Sequence, residues 1–329
     1  MKLAIRIAFI IGLGLMIALI VHDGASQIFA LLAHASWLLL WLVPLRALPI
    51  ALDATGWRAL LRHGVRRRTL FWIACLRDAI NRLLPVANIG GEVVGIGLLA
   101  RTGVDATTAA ASVVVEILMM LVSQYLFVAL GVVCILYLTG AVPFAVNLAV
   151  LLAASLPAIG LLVALMRYGS LFGWLRRVAA RILSGATRAP RVGADGRDLD
   201  GAIRELCRAH ARLLRSIAWQ LSGLIAGSAE TWLALRWLGH PVAIAEAVAL
   251  ESLTQAVRSC IFLVPSGIGV QEASLVALGH VLGISPDMAL ALSLAKRMRE
   301  VLFGVPALIA WQWIEGRRGL AEVHQRGGP

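Results

Sequence analysis

Two short stretches place charge, proline and glycine inside otherwise apolar sequence. The first runs Arg77-Asp78-Ala79-Ile80-Asn81-Arg82-Leu83-Leu84-Pro85-Val86-Ala87-Asn88-Ile89-Gly90-Gly91-Glu92. The second runs Arg258-Ser259-Cys260-Ile261-Phe262-Leu263-Val264-Pro265-Ser266-Gly267-Ile268-Gly269-Val270-Gln271-Glu272. Proline lacks an N–H and clashes with the preceding turn, so Pro85 and Pro265 each end a helix. Glycine then lets backbone pack closely or adopt positive φ. A new helix starts near Asn88–Glu92 and again near Ser266–Glu272. The unpaired N–H groups of such a start attract an anion, for example a phosphate. Asn88, Gly90 and Gly91 on one side, and Ser266, Gly267, Gly269 and Gln271 on the other, are therefore candidate substrate-binding positions.

Charges gather around both breaks. Arg77, Asp78 and Arg82 precede the first and Arg258 precedes the second, while Lys296, Arg297, Arg299 and Glu300 sit inside a later apolar run. Each basic group costs roughly 2.5–3.5 kcal/mol at the centre of a membrane helix. Basic groups outnumber acids near the breaks, which favours a cavity role for Arg82, Arg258, Lys296 and Arg299. The plainer account is that these residues only lock helices together, and for Glu116 and Glu300 the two accounts stand level. Lys296 and Glu300 are four apart, on one helical face. Glu92 and Glu272 fall in the first turn of their helices, where a carboxylate caps or meets an arginine. Proton coupling is the sharper alternative for both. Glu230 is a further lone acid, paired with an arginine or protonated.

The elements that carry these residues are membrane spans. Of the 329 residues, 60% are hydrophobic and only 15% charged, with 30 Lys+Arg against 18 Asp+Glu, a formal +12. Mean hydropathy is +0.86. Soluble domains are about 45–50% apolar and about 25% charged. A nucleic-acid binder needs a basic surface on a polar background, which this chain lacks. Runs of about 20 apolar residues make it a polytopic membrane protein. Six spans are expected: Leu3–Val21, Trp37–Leu52, Thr107–Leu138, Phe144–Met166, Ile217–Leu238 and Met288–Trp313. Thr107–Leu138 reaches about 48 Å as one tilted helix. With both termini in the cytoplasm, most Lys and Arg fall in inside loops. The outer pieces 22–36, 139–143 and 239–246 hold none, the positive-inside pattern. Arg236 snorkels at the outer end of its span.

The segment 167–216 is expected to be cytoplasmic and basic. Leu171, Phe172, Trp174, Leu175, Val178 and Ile182 alternate with arginines, as do Leu199, Ile203, Leu206, Leu213 and Leu214. Both halves read as amphipathic helices lying on anionic headgroups. The four cysteines are scattered, without the spacing of a zinc site or disulfide framework. The seven histidines form no metal motif, and no nucleophile elbow or P-loop is present. No catalytic residues, metal or cofactor are expected.

The two broken stretches align without a gap at an offset of 180 residues (265 − 85). Pro85 meets Pro265, Glu92 meets Glu272, Gly103 meets Gly283, Ala109 meets Ala289 and Ala111 meets Ala291. The expected fold is all-α, with about six spanning helices and two re-entrant broken-helix elements. Residues 70–138 form the first repeat and residues 246–313 the second, within one membrane domain over 1–329. One element starts from the inside and the other from the outside, so the repeats are inverted. Broken elements in inverted pairs point to a transport site near the midplane.

Asn81-Arg82-Leu83-Leu84-Pro85 through Gly90-Gly91-Glu92, with Val264-Pro265-Ser266-Gly267-Ile268-Gly269-Val270-Gln271-Glu272, resembles the lysylphosphatidylglycerol synthase transmembrane family, also called flippase-like. Gln255-Ala256-Val257-Arg258-Ser259 and Leu294-Ala295-Lys296-Arg297 resemble its hopanoid-associated members from Gram-negative bacteria. Synthase members carry a soluble aminoacyl-transferase domain after the membrane part, whereas this chain ends at Pro329. The resemblance thus implies the translocating half alone, in the bacterial inner membrane.

The expected function is a lipid translocase that moves a polar or anionic lipid, a phospholipid or hopanoid, between leaflets. Its partners are membrane lipids and not nucleic acid, and a homodimer is open to it. Two alternatives stand beside it: an enzyme or accessory subunit of hopanoid or polyprenyl lipid synthesis, and a membrane scaffold.

Overall fold

The computed structural model describes residues 36–61, 64–83, 90–140, 142–168, 196–260 and 269–326. The described secondary structure is helical throughout. The expected first span, Leu3–Val21, lies outside these residues, as do both prolines at the breaks and Asn88, Ser266 and Gly267.

Three helical pieces, α1 (Ser36–Leu39), α2 (Leu42–Leu45) and α3 (Ala47–Leu60), follow one another with Pro44 and Pro49 near the joints. Together they make an apolar span over Trp37–Leu60. It runs past its expected end at Leu52 because the next polar residues face protein. Asp53 lies against Gly223, and buried Trp57 donates its indole N–H to Ser112 Oγ at 3.2 Å.

The first hairpin is α4 (Arg67–Leu83) and α5 (Gly90–Ala100). Gly91 abuts Arg77 and Asn81 of α4, and Gly95 abuts Arg77. Farther along α5, Leu99 packs with Leu70 and Ile73. The pairing is antiparallel, so the chain returns to the end where α4 began. At 11 residues, α5 is about 16 Å long, too short to span. Gly103 turns the chain at φ 92°, and α6 (Ala106–Thr139) begins. Asp105 accepts from the Thr108 N–H at 3.1 Å as its N-cap, and Gly140 ends it at φ 60°. The single long helix expected over Thr107–Leu138 is present. After it comes α7 (Val142–Tyr168).

In the basic segment, 169–195 lie outside the described residues, and α8 (Gly196–Arg208) differs from expectation. Its Ile203, Leu206 and Cys207 are buried against Ala111, Val115, Leu118 and Met119 of α6. The apolar stripe therefore faces protein and not headgroups, while Arg204 and Arg208 stay exposed. The expectation failed because α6 offers an apolar groove there, and a stripe alone does not specify its partner.

Helix α9 (His210–Trp237) starts seven residues before the expected span (217 − 210). It runs antiparallel to α3, with Gly56 against Ser216 and Gln220, and Gly223 against Pro49 and Asp53. Leu238 thus sits beside Leu39 and Leu42, at the far end of the bundle from Leu60. Near that end the Arg236 guanidinium lies over the Trp232 ring, 5.6 Å from its centroid.

From the Leu238 end the second hairpin enters: α10 (Ile244–Cys260) and α11 (Val270–Val281). Arg258 meets Gln271 near the tip, while Ala249 and Leu253 pack with Leu278 and Leu282 near the base. This hairpin also returns to its own end. Gly283 turns at φ 74° into α12 (Pro286–Arg326), which extends past the expected stop at Trp313. The two hairpins therefore enter from opposite ends. Each packs on the other's long helix, α4 on α12 and α10 on α6. Gly304 of α12 admits Leu83 and Ala79, and Gly131 of α6 admits Ser252 and Ala249. Such small-residue crossings bring backbones close where lipid supplies no hydrophobic drive.

Large apolar side chains are exposed on the bundle, and polar ones are buried among its apolar core. Met120, Val133, Val150, Val301 and Ile309 are exposed, whereas Ser123, Gln220, Glu230, Thr231 and Ser293 are buried.

Candidate functional site

The described arms of the two hairpins are joined through α12 by a network of buried charged side chains. On the first hairpin, Asp78 accepts from Arg46 of α2–α3 at 2.7 Å and from Arg82 at 2.8 Å. Arg82 reaches across to Glu300 of α12 at 2.5 Å. Glu300 also receives Arg297 at 3.3 Å and Arg299 at 3.6 Å. Arg299 in turn pairs with Glu230 of α9. Arg297 extends to Glu272 of α11 at 3.4 Å. An unbroken chain of pairs thus runs from α3 through both hairpins to α9 and α12.

Two further groups flank it. Arg77 pairs with Glu92 and with Glu116, the latter at 2.7 Å, and lies 4.7 Å from the Trp57 ring centroid. Gly91 and Gly95 make room for it, since a Cβ at Gly91 would sit 2.6 Å from the Arg77 carbonyl oxygen and one at Gly95 2.7 Å from its Cδ. Lys296 pairs with Glu251 of α10, which also accepts from Thr231 at 2.6 Å and Gln255 at 2.9 Å. The i,i+4 geometry of Lys296 and Glu300 gives way to these contacts across helices, because Glu251 already has two hydroxyl and amide donors beside it.

Glu116 lies ten residues into α6 (116 − 106) and Lys296 ten into α12 (296 − 286), each about 15 Å from the start of its helix.

One N–H at each helix start is taken by the chain itself: the Gly91 N–H donates to Asn81 Oδ1 at 2.9 Å, and the Gly269 N–H to Glu272 Oε2 at 2.7 Å. Gly90 opens α5 and Gly269 caps α11.

The excess of bases over acids near the breaks also needs correction. Folding brings Glu230 and Glu251 to the cations from other helices, and each of Arg46, Arg77, Arg82, Lys296, Arg297 and Arg299 meets a carboxylate. Arg258 forms no ion pair among the described residues and donates to the neutral Gln271 Oε1 at 2.7 Å. Arg46, Asp53, Trp57 and Glu251 were missed as neighbours of the site. Arg46 had a signal, a lone cation inside an apolar span. So did Glu251, seven residues before Arg258 on the same helical face.

Among the described residues no cluster of His, Cys, Asp and Glu suits a metal ion. A cavity of about 150 Å³ lies apart from the charge network, lined by Leu60, Thr108, Ala111, Ser112, Glu205 and Leu206 among others. The network's own chemistry is ion pairing between buried carboxylates and cations.

No curated protein and no solved structure matches the chain. Residues 4–307 match the family described as the lysylphosphatidylglycerol synthase TM region. That span covers both hairpins and nearly all of the charge network. The chain belongs to the lysylphosphatidylglycerol synthase transmembrane-region family and is an integral, multi-pass membrane protein.

Proposed function

We propose that this protein is a lipid translocase of the bacterial inner membrane, moving a polar or anionic lipid, a phospholipid or hopanoid, between leaflets. It acts as a transporter and not as an enzyme. Residues 70–138 and 246–313 serve as inverted repeats, and both termini face the cytoplasm. The observation that supports this reading is the ion-pair network in which Arg82 of one hairpin and Glu272 of the other, entering from opposite ends, both pair with residues of α12.

A membrane protein gains little stability from a buried ion pair over an apolar one, yet stranding one partner costs about 3–5 kcal/mol. Placing so many pairs at the tips is therefore a poor way only to glue helices. It suits a device in which a headgroup takes over partners as the repeats rock, so that no charge is stranded in transit. The acyl tails stay in lipid against the apolar exterior. No nucleotide-binding motif is apparent in the sequence, so the movement proposed is passive or coupled to a gradient.

The test is lipid exchange in vesicles reconstituted with the purified protein. Fluorescent lipid is bleached by an impermeant reductant. Translocation exposes inner-leaflet label to bleaching, whereas protein-free vesicles lose only the outer-leaflet label. Equal bleaching with and without protein, across anionic, zwitterionic and hopanoid probes, would refute the proposal.

A further inference from the structure

Arg258 differs from every other cation of the network. Arg46, Arg77, Arg82, Lys296, Arg297 and Arg299 each meet a carboxylate. Among the described residues Arg258 meets only an amide oxygen, at 2.7 Å from its Nη1. The amide is fixed in that sense by a relay. Gln271 Nε2 donates to Ser293 Oγ at 3.0 Å, and the Ser293 hydroxyl donates to Glu272 Oε1 at 3.0 Å. Gln271 and Glu272 are fully buried, so the relay is rigid.

The nearby acids are committed elsewhere. Glu300 and Glu251 lie within electrostatic range of Arg258, as do the cations Arg82 and Arg297. Glu300 already serves Arg82, Arg297 and Arg299, and Glu251 serves Lys296, Thr231 and Gln255. Arg258 itself is partly buried, between exposed Val257 and Ser259. A guanidinium has five donors in a planar fork that matches phosphate oxygens. Here it stands near the described end of its hairpin arm, partly exposed and without a carboxylate partner among the described residues.

We propose that Arg258, oriented by the Gln271–Ser293–Glu272 relay, is the anchor for the phosphate of an anionic lipid headgroup. This rests on the translocase reading and specifies which substrates it takes. Gln271→Glu is the discriminating variant. It places a carboxylate on Arg258 in nearly the same volume, completing the ion pair and closing the anion site, at the cost of the Gln271 Nε2 hydrogen bond to Ser293.

Binding to the full-length protein in detergent is measured with three probes: short-chain phosphatidylglycerol, diacylglycerol with the same acyl chains, and soluble glycerol phosphate. Wild type binds phosphatidylglycerol about tenfold or more tightly than diacylglycerol, the scale of a charge-assisted hydrogen-bond pair. Arg258→Ala and Gln271→Glu lose that preference and Arg258→Lys keeps part of it, with the folding of each variant checked by its melting transition. Unchanged preference in Gln271→Glu overturns the proposal even if Arg258→Ala fails to fold. Glycerol phosphate binding as tightly as the lipid, with the same Arg258 dependence, overturns the lipid assignment in favour of a soluble ester. Arg258-dependent binding without leaflet exchange sinks the translocase reading and leaves the site. Exchange that survives alongside unchanged binding in both variants sinks the site and leaves the translocase.

Discussion

Glu300→Gln is the most informative single change to the network. The Glu300 side chain is only 4% exposed, accepts from Arg82 at 2.5 Å and Arg297 at 3.3 Å, and lies 3.6 Å from the Arg299 guanidinium. The amide keeps the shape and one acceptor but removes the charge that three guanidiniums share. At an effective dielectric of about 20, unit charges about 4 Å apart interact by roughly 4 kcal/mol. Each arginine retains a second acid, Asp78, Glu272 or Glu230, so the loss is not the sum of three pairs. Breaking one buried pair costs about 3–5 kcal/mol, and that is the expected destabilisation. At about 2–4 °C per kcal/mol for larger domains, the melting midpoint falls by roughly 6–20 °C. Thermal unfolding in detergent, followed by tryptophan fluorescence, reads it. Adding Arg82→Gln costs less than the sum of the single changes, with a coupling of about 0.5–3 kcal/mol. A midpoint within about 2 °C of wild type, or strict additivity, refutes the shared-carboxylate account.

Arg77→Met strands Glu92 and Glu116 together and removes the cation from the face of Trp57; it lowers stability by about 3–5 kcal/mol and shifts the indole emission, both read in one melting experiment. Gly91→Val puts a side chain into the space of the Arg77 carbonyl and Asn81, costing about 1–3 kcal/mol through overpacking, whereas Gly97→Val, where nothing lies within 4 Å, leaves the midpoint nearly unchanged. In a cysteine-free background, Arg66→Cys resists an impermeant maleimide in intact cells and His240→Cys reacts; the reverse pattern contradicts cytoplasmic termini.

Local signals carried much of the fold. Asp105 and Gly140 bracket a helix whose apolar run is continuous, so its limits were readable to within a residue or two. Gly103 and Gly283, aligned by the offset of 180, both adopt positive φ, and the helices after them start at Ala106 and Pro286, also 180 apart. The pairings were not readable, because they are set by helix packing and not by spacing. Arg82 and Glu300 are separated by 218 positions, and Lys296 and Glu251 by 45. Counting charges near the breaks overestimated the free cations for the same reason, since Glu230 and Glu251 arrive from other helices. In 199–208 the apolar stripe was legible, but whether lipid or α6 covers it depends on what α6 presents.

Movement of the first hairpin against α12 is the central claim, and one cross-link addresses it. A Cβ at Gly304 would lie 3.4 Å from the Ala79 Cβ, with only the flexible end of Leu83 in the way. Disulfides need a Cβ separation of about 3.5–4.5 Å, so Ala79→Cys with Gly304→Cys, in a background lacking the four native cysteines, should close under oxidant. Leaflet exchange of labelled lipid in reconstituted vesicles is then followed before oxidation, after it, and after reduction. Exchange that stops in the oxidised protein and returns on reduction, with each single-cysteine control unaffected, is the predicted result. Exchange at an undiminished rate through a fully cross-linked protein contradicts the rocking of one hairpin against the other's long helix.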